Sequence, residues 1–274
     1  GSFSTKDKME DAFQGLDQQS LFKPITKKTW TVKNVKKIPK IFSDGFKLAM
    51  SPRRGPVCIN LPRNILSNRA NFKINEKNES FDNQNSTKAK IIYVKKAVKI
   101  ISNSKQVVII AGGGIKYASK YKNVIKLANL LNAPIVTSAG HGDAIPFNHK
   151  LNAGQMGPRG NPVASKLVKK ADVIIALGTR LGFNSTFYSF ENINKRAKII
   201  QVELEKSMIG RYFPVVVGIN GDAATVADQL YKEIKKQNIV LNIKKWTNNY
   251  LNERNRFLVN RDEVKLKNFP IQPK

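Results

Sequence analysis

Little in this chain could form a covalent cross-link or a metal cluster. Cys58 is the only cysteine among 274 residues, so neither an internal disulfide nor a cysteine-ligated metal site can form. Histidine occurs twice, at His141 and His149, with Asp143 between them. A metal site needs a further ligand at a convincing spacing, and none is present; no metal-binding residue is assigned. No serine–histidine–aspartate order or glycine-flanked nucleophilic serine occurs. No apolar run approaches the ~20 residues that cross a bilayer. The opening GSFSTKDKME carries no hydrophobic signal core, and a cytoplasmic location is the default. Acidic residues are few, 19 against 48 lysines and arginines, for a formal charge of +29.

That excess of positive charge raises nucleic acid as a partner. Lysine, however, is spread along the whole chain, in pairs such as Lys27–Lys28, Lys95–Lys96, Lys169–Lys170 and Lys235–Lys236. These pairs fall on the polar faces of expected helices. No arginine-rich arm, aromatic-interleaved basic strand or zinc-finger spacing accompanies them. The charge is read mostly as solvated surface, and nucleic-acid binding is the minority alternative.

What the chain does have is organised around residues 106–114, QVVIIAGGG. The run from Val107 to Ala111 is short, apolar and rich in β-branched residues. Such a run fits a strand buried on both faces, as in a parallel sheet covered by helices. Gly112, Gly113 and Gly114 follow, where the backbone can turn sharply and a ligand can approach without meeting a Cβ. Tyr121, Val124, Ala128 and Leu131 then mark one face of a helix. Strand, glycine turn and helix open a nucleotide-binding α/β unit. The G-x-G-x-x-G spacing is not met, so a tight strand–helix turn without a ligand fits this stretch equally well.

Upstream, residues 1–34 form a mixed stretch in which Pro24 and Lys27–Lys28 argue against a long helix. A helix is expected to open near Pro39, with Ile41, Phe42, Gly45, Phe46 and Ala49 on one side. Gly55 and Pro56 make a turn, residues 57–61 a short strand, and Pro62 ends it. Cys58 falls in that strand as a small hydrophobe. Residues 69–88, rich in Asn, Lys, Glu and Ser, are a linker by composition.

From Ala89 the pattern is regular. Ile91, Val94, Val98 and Ile101 give a helix face, and the 107–111 strand follows. Residues 133–138 (APIVTS) make a second buried strand, and 140–160 a long loop of the kind that carries function. A helix over 162–171 leads to strands at 173–177, 199–204 and 214–219. The last helix carries Ala223, Val226, Ala227, Leu230, Tyr231 and Ile234, with Asp222 at the N-cap. The tail from Trp246 to Lys274 is polar and reads as a connector without a helix or strand of its own. Alternating strands and helices specify an α/β fold, a doubly wound, Rossmann-like parallel sheet, preceded by the C-terminal edge of another α/β domain.

In such sheets ligands bind at the carboxyl ends of the strands. The residues there are Gly112, Gly113, Gly114, Ser138, Ala139, Gly178, Thr179, Arg180, Glu203 and Asp222. The turns offer backbone N–H groups to an anion, and Arg180 offers a fork for a phosphate. Glu203 could accept a ribose hydroxyl. Alternatively Arg180 and Glu203 are structural charges and Asp222 is a cap; for Asp222 the cap is the better reading, and for Arg180 the functional one.

Seven motifs line up in order: DAFQ (11–14), PITK (24–27), RRGPVCINLPRN (53–64), AGGG (111–114), P-x-x-H-x-L-N-A-G (146–154), ALGTRLG (176–182) and VGINGDA (217–223). As a set they resemble thiamine-diphosphate-dependent enzymes of the acetolactate synthase group, from about residue 9 to the end. The resemblance implies the end of a pyrimidine-binding domain over 1–68, a linker over 69–88 and a middle domain over 89–238. It implies a connector over 239–274 to a diphosphate-binding domain that would follow Lys274. Phe13 and Gln14 match an active-site phenylalanine and glutamine beside the cofactor. The cofactor-activating glutamate and the metal motif lie outside the matched stretch, so the chain by itself is expected to be inactive.

The function implied is decarboxylation of a 2-oxo acid and transfer of the acyl group to an acceptor, as in branched-chain amino acid biosynthesis. Thiamine diphosphate and magnesium would act in a longer enzyme that is a homo-oligomer. Acetolactate synthases typically carry Arg-Phe-Asp-Asp-Arg after the strand glycine, where this chain has Arg180-Leu181-Gly182-Phe183-Asn184. Asn184 stands in place of the second arginine and Gly182 in place of the aspartate that faces FAD. Weak or absent FAD binding follows. Sulfoacetaldehyde acetyltransferase, similar around HGDAIP, GTRL and VGINGDA, or another thiamine-diphosphate decarboxylase is the alternative. A basic nucleotide- or nucleic-acid-binding module without catalysis is the remote one.

Overall fold

The structure, a computed structural model, describes Ser4 and residues 15–51, 54–72, 87–118 and 120–262. Phe13, Gln14, most of the 69–88 stretch and the NFPIQPK end lie outside the described residues. The chain divides into two compact units, Gly1–Asn85 and Ser86–Lys274.

The first unit is small. Helix α1 (Gln18–Phe22), capped by Asp17, leads into strand β1 (Thr29–Thr31). Helix α2 (Ile38–Met50) has Pro39 in its first turn, where a missing N–H costs nothing. Strand β2 (Cys58–Asn60) runs parallel to β1, and helix α3 (Arg63–Leu66) follows. Cys58 is half-buried, and its Sγ lies 3.3 Å from Asn60 Oδ1. Strand β1, sequence TWT, was not expected. Three residues give no periodicity to read, and its pairing with β2 is non-local.

The second unit contains a six-stranded parallel sheet. Its elements in chain order are α4 (Ile91–Ser102), β3 (Val107–Ala111), α5 (Gly113–Ala118), α6 (Tyr121–Leu131), β4 (Ile135–Thr137) and β5 (Asn152–Gln155). There follow α7 (Pro162–Lys170), β6 (Val173–Leu177), α8 (Phe183–Thr186), β7 (Lys198–Glu203), β8 (Val217–Asn220), α9 (Ala223–Lys236) and α10 (Lys244–Asp262). The strand order is β5-β4-β3-β6-β7-β8. The chain winds one way from β3 to β5, returns to β6 beside β3, and winds the other way to β8. That is the doubly wound order, with its switch point between β3 and β6.

Every residue of β3 and β6 is buried, because helices cover both faces of the sheet. Val107, Ile109 and Ala111 share a core with Val94, Val98, Leu127, Ala128, Val226 and Leu230, from α4, α6 and α9. Val108 and Ile110 face the opposite core, with Leu167 and Val168 of α7 and Phe213. Alternate residues on opposite faces are what the strand's period of two requires. Each fully buried Val or Ile side chain contributes about 1.5–3 kcal/mol of transfer free energy.

Two expectations need correction. The 140–160 segment is not all loop, since it holds the edge strand β5. Its sequence NAGQ has one apolar residue, so periodicity could not reveal it. The tail is not without structure either, because α10 packs on this unit. The Trp246 indole donates to Val107 O at 3.1 Å, and the Thr247 hydroxyl donates to Asn132 O at 2.6 Å. Further along α10, Lys166 pairs with Glu253 at 2.9 Å. Trp246, Tyr250 and Leu251 pack on the core among polar neighbours, a stripe too thin to stand out in a polar sequence.

Candidate functional site

The glycine turn after β3 and the turn after β6 are built against each other. Gly112 N–H donates to Leu177 O at 3.0 Å, and Gly114 N–H to Gly178 O at 3.0 Å. A Cβ at Gly114 would stand 2.7 Å from Gly178 Cα, and one at Gly178 would stand 2.6 Å from Gly114 Cα. Gly178 also has φ +62°, a conformation L side chains rarely adopt. Glycine at Gly112, Gly114 and Gly178 therefore serves close backbone packing at the switch point, and two of the amides that could hold an anion are engaged there.

Gly113 faces outward from this contact. A Cβ on it would come within 3.0 Å of the His141 ring. His141 follows β4, and its N–H donates to Ser138 O. Its Nδ1 is buried with no hydrogen-bond partner among the described residues. Burial, and then the nearby Lys116 ammonium, hold the imidazole below its ordinary pKa, so it is neutral near pH 7. Tyr117 meets the ring edge-on at 6.1 Å. Lys116 Nζ lies 2.8 Å from Asp143 Oδ2; that bond raises the lysine's pKa and lowers the aspartate's.

After β6, Thr179 is buried. Its Oγ1 accepts Leu181 N–H at 3.2 Å, and its carbonyl accepts Gln201 Nε2 at 3.1 Å. Arg180 is exposed, and its charge reaches both His141 and Tyr188. Beyond it Leu181, Phe187 and Tyr188 all have φ between +51° and +55°. Non-glycine residues in that region cost of order 1 kcal/mol each and cluster at functional sites. They shape an exposed aromatic ledge of Phe183, Phe187 and Tyr188, with Tyr188 stacked on Tyr212 at 4.4 Å. Asn184 is exposed on the same short helix, which Gly182 caps.

The expected residues thus fall into two groups. Gly112, Gly113, Gly114, Gly178, Thr179 and Arg180 come together at the switch point. Ser138 and Ala139 end β4 beside them, but their amides are engaged by Ala111 O and by Ser185 Oγ. Glu203 ends β7 and Asp222 follows β8, two and three strands from β3. At a strand spacing of ~4.8 Å this puts them roughly 10 and 14 Å away. Asp222 Oδ1 accepts Thr225 N–H at 2.8 Å and the Thr225 hydroxyl at 2.7 Å, capping α9. His141, Lys116 and Tyr117 were not singled out for this rim. The one available signal was that the HGD of 141–143 follows the end of a buried strand with three residues between.

Comparison with known proteins agrees with this architecture. Residues 94–230 match the central domain of thiamine pyrophosphate enzymes. The chain is 31% identical over 260 residues to a probable acetolactate synthase large subunit of Methanococcus aeolicus, covering 91% of this chain and 43% of that one. It is 34% identical over 242 residues to the acetolactate synthase large subunit of Buchnera aphidicola from Schizaphis graminum, covering 86% and 42%. It is also 34% identical over 224 residues to a sulfoacetaldehyde acetyltransferase of Alcaligenes xylosoxydans, covering 81% and 36%. The chain thus spans less than half the length of these relatives. Matches to the central-domain family and to acetolactate synthases over most of its length place this chain in the thiamine-diphosphate-dependent enzymes, in the acetolactate synthase group.

Proposed function

We propose that this chain is the middle of a longer thiamine-diphosphate-dependent carboligase that decarboxylates a 2-oxo acid and passes the acyl group to an acceptor. The observation that carries this reading is the likeness to acetolactate synthase large subunits over most of the chain. On this reading residues 1–68 close a pyrimidine-binding domain, 89–238 are the middle domain, and 239–274 lead to a diphosphate-binding domain. Phe13 and Gln14 would stand beside the thiamine cofactor, which supplies the carbanion chemistry when bound. Among the described residues no group of three or more His, Cys, Asp and Glu could hold a metal ion; magnesium would be bound elsewhere in the longer enzyme. The working unit would be a cytoplasmic homo-oligomer.

In this chain the switch-point rim would take a phosphate-bearing nucleotide. Arg180 is the exposed cation there, His141 and Gly113 lie together beside it, and the exposed aromatic ledge follows in the chain. Gly182 and Asn184 stand where acetolactate synthases carry a charged pair, which supports weak or absent FAD binding. The same departure supports the second reading, a sulfoacetaldehyde acetyltransferase.

The test is an assay with pyruvate, thiamine diphosphate and magnesium, repeated with sulfoacetaldehyde. The 274-residue chain is expected to form no acetolactate, and the longer protein that carries it is expected to do so. Acetolactate made by the chain alone would overturn the assignment of its missing parts. Turnover of sulfoacetaldehyde but not pyruvate by the longer protein would select the second reading.

A further inference from the structure

The lysines that look scattered in the sequence gather in the second unit into a face of one sign. Helix α9 packs against both α4 and α6, and the three cover one side of the large sheet. Their outward side chains include Lys95, Lys96 and Lys99 on α4, Lys122 and Lys126 on α6, and Lys235 and Lys236 on α9, all exposed. Neither α4 nor α6 contains an aspartate or glutamate. The two acids of α9 are already engaged. Asp228 pairs with Lys232 at 2.6 Å, and Glu233 is 8% exposed and accepts Gln237 Nε2 at 2.7 Å. At the head of α4, three consecutive large side chains stand out: Ile91 is 55% exposed, Ile92 57% and Tyr93 41%. Lys96 Nζ lies 5.9 Å from the centre of the Tyr93 ring.

We propose that this α4–α9–α6 face docks on an anionic lipid membrane surface. A second copy of the same face is excluded as occupant, because lysine would oppose lysine. A specific protein partner would favour arginine, whereas lysine is depleted from such interfaces. Nucleic-acid phosphates would also attract lysine, but base readout leaves the exposed aliphatic pair Ile91 and Ile92 without a role. A fluid anionic surface suits all the observations together. Clustered lysines are drawn to acidic headgroups without fixed geometry. Their aliphatic stems can lie along apolar surface while the ammonium stays in water. Aliphatic side chains with a neighbouring tyrosine lodge at the headgroup boundary. No helix among the described residues is long and apolar enough to cross a bilayer, so the contact is peripheral.

The test is co-sedimentation of the full 274-residue chain with phosphatidylserine–phosphatidylcholine vesicles and with phosphatidylcholine vesicles. Binding is expected to the first and not to the second. Replacing Lys95→Glu, Lys96→Glu and Lys99→Glu together should lower partitioning by about a hundredfold or more, at about fivefold or more per lysine. Ile92→Ser should lower it severalfold at unchanged net charge. Lys169→Glu with Lys170→Glu, at the end of α7, should have a smaller effect per charge. Circular dichroism melting verifies that the variants fold, and the comparison uses only those that do. No binding to anionic vesicles, equal losses per charge at α4 and α7, or no effect of Ile92→Ser would each overturn the proposal. Displacement from the vesicles by duplex DNA at low concentration would overturn it in favour of nucleic acid.

Discussion

The carboxyl edge of the large sheet is built in two different ways along its length. At β3 and β6 the chain turns through glycines that pack backbone on backbone, and exposed or half-buried polar groups gather above them. After β8 it turns into ordinary helix-capping chemistry, with Asp222 spent on Thr225. Both places show a small residue or a carboxylate at a strand end, which in sequence is the expected mark of a ligand site. The difference is what each residue already touches. A carboxylate satisfied by a helix amide has little left for a ligand, whereas Arg180 stands in solvent beside a half-buried histidine.

The sharpest way to break this contrast is at Gly178. Gly178→Ala would force a Cβ against Gly114 Cα at 2.6 Å in a left-handed conformation, and should cost about 3 kcal/mol or more in urea unfolding. Gly182→Ala, with nothing within 4 Å of its Cβ, should stay within about 0.5 kcal/mol of the parent. If both are tolerated equally, the turns are not packed as described. At the far end of the edge the expected effect is smaller. Asp222→Ala should lose about 1 kcal/mol, the worth of an N-cap, and Asp222→Asn should recover most of it. An Asp222→Ala variant that instead abolished nucleotide binding at full stability would restore Asp222 to the site.

The smallest effect concerns pH. Burial holds His141 and His149 below the ordinary value of 6.5 in the folded chain. The unfolded chain therefore takes up protons first as pH falls, and stability drops. Their contribution is complete above about pH 6.5 and is lost progressively below it, down to the folded-state values. Replacing His141→Asn should flatten part of that acid slope in unfolding curves recorded between pH 7 and 5. An unchanged slope would mean that the ring is not desolvated in solution.

The same contrast explains how much could be read from the sequence. Strands β3 and β6, and helices α4, α7 and α9, were legible because Val107–Ala111, Val173–Leu177 and the capped, periodic α9 carry local signals that agree with their burial. Strands β1 and β5 were not, because TWT and NAGQ owe their state to partners distant in sequence. Helix α10 was hidden because its contacts rest on a few side chains, Trp246 and Thr247 among them, whose hydrogen-bond partners are backbone carbonyls far back in the chain. The rim was half legible. Glycines and Arg180 could be picked out by their positions after strands. That Gly112, Gly114 and Gly178 would fill one another's space, and that His141 would lean over Gly113, depended on the strand order. Lysine spacing likewise gave no hint that α4, α6 and α9 would turn one charge sign to the same side.

The proposed phosphate site at the switch-point rim, with little or no affinity for flavin, is open to direct test. The direct measurement is calorimetric titration of ADP and of FAD into the 274-residue chain and its Arg180→Ala variant, with the visible spectrum recorded before and after FAD. The account predicts a colourless protein, ADP binding that weakens about tenfold or more when the Arg180 charge is removed, and little or no uptake of FAD. A yellow protein holding stoichiometric flavin, or ADP binding indifferent to Arg180, would contradict it.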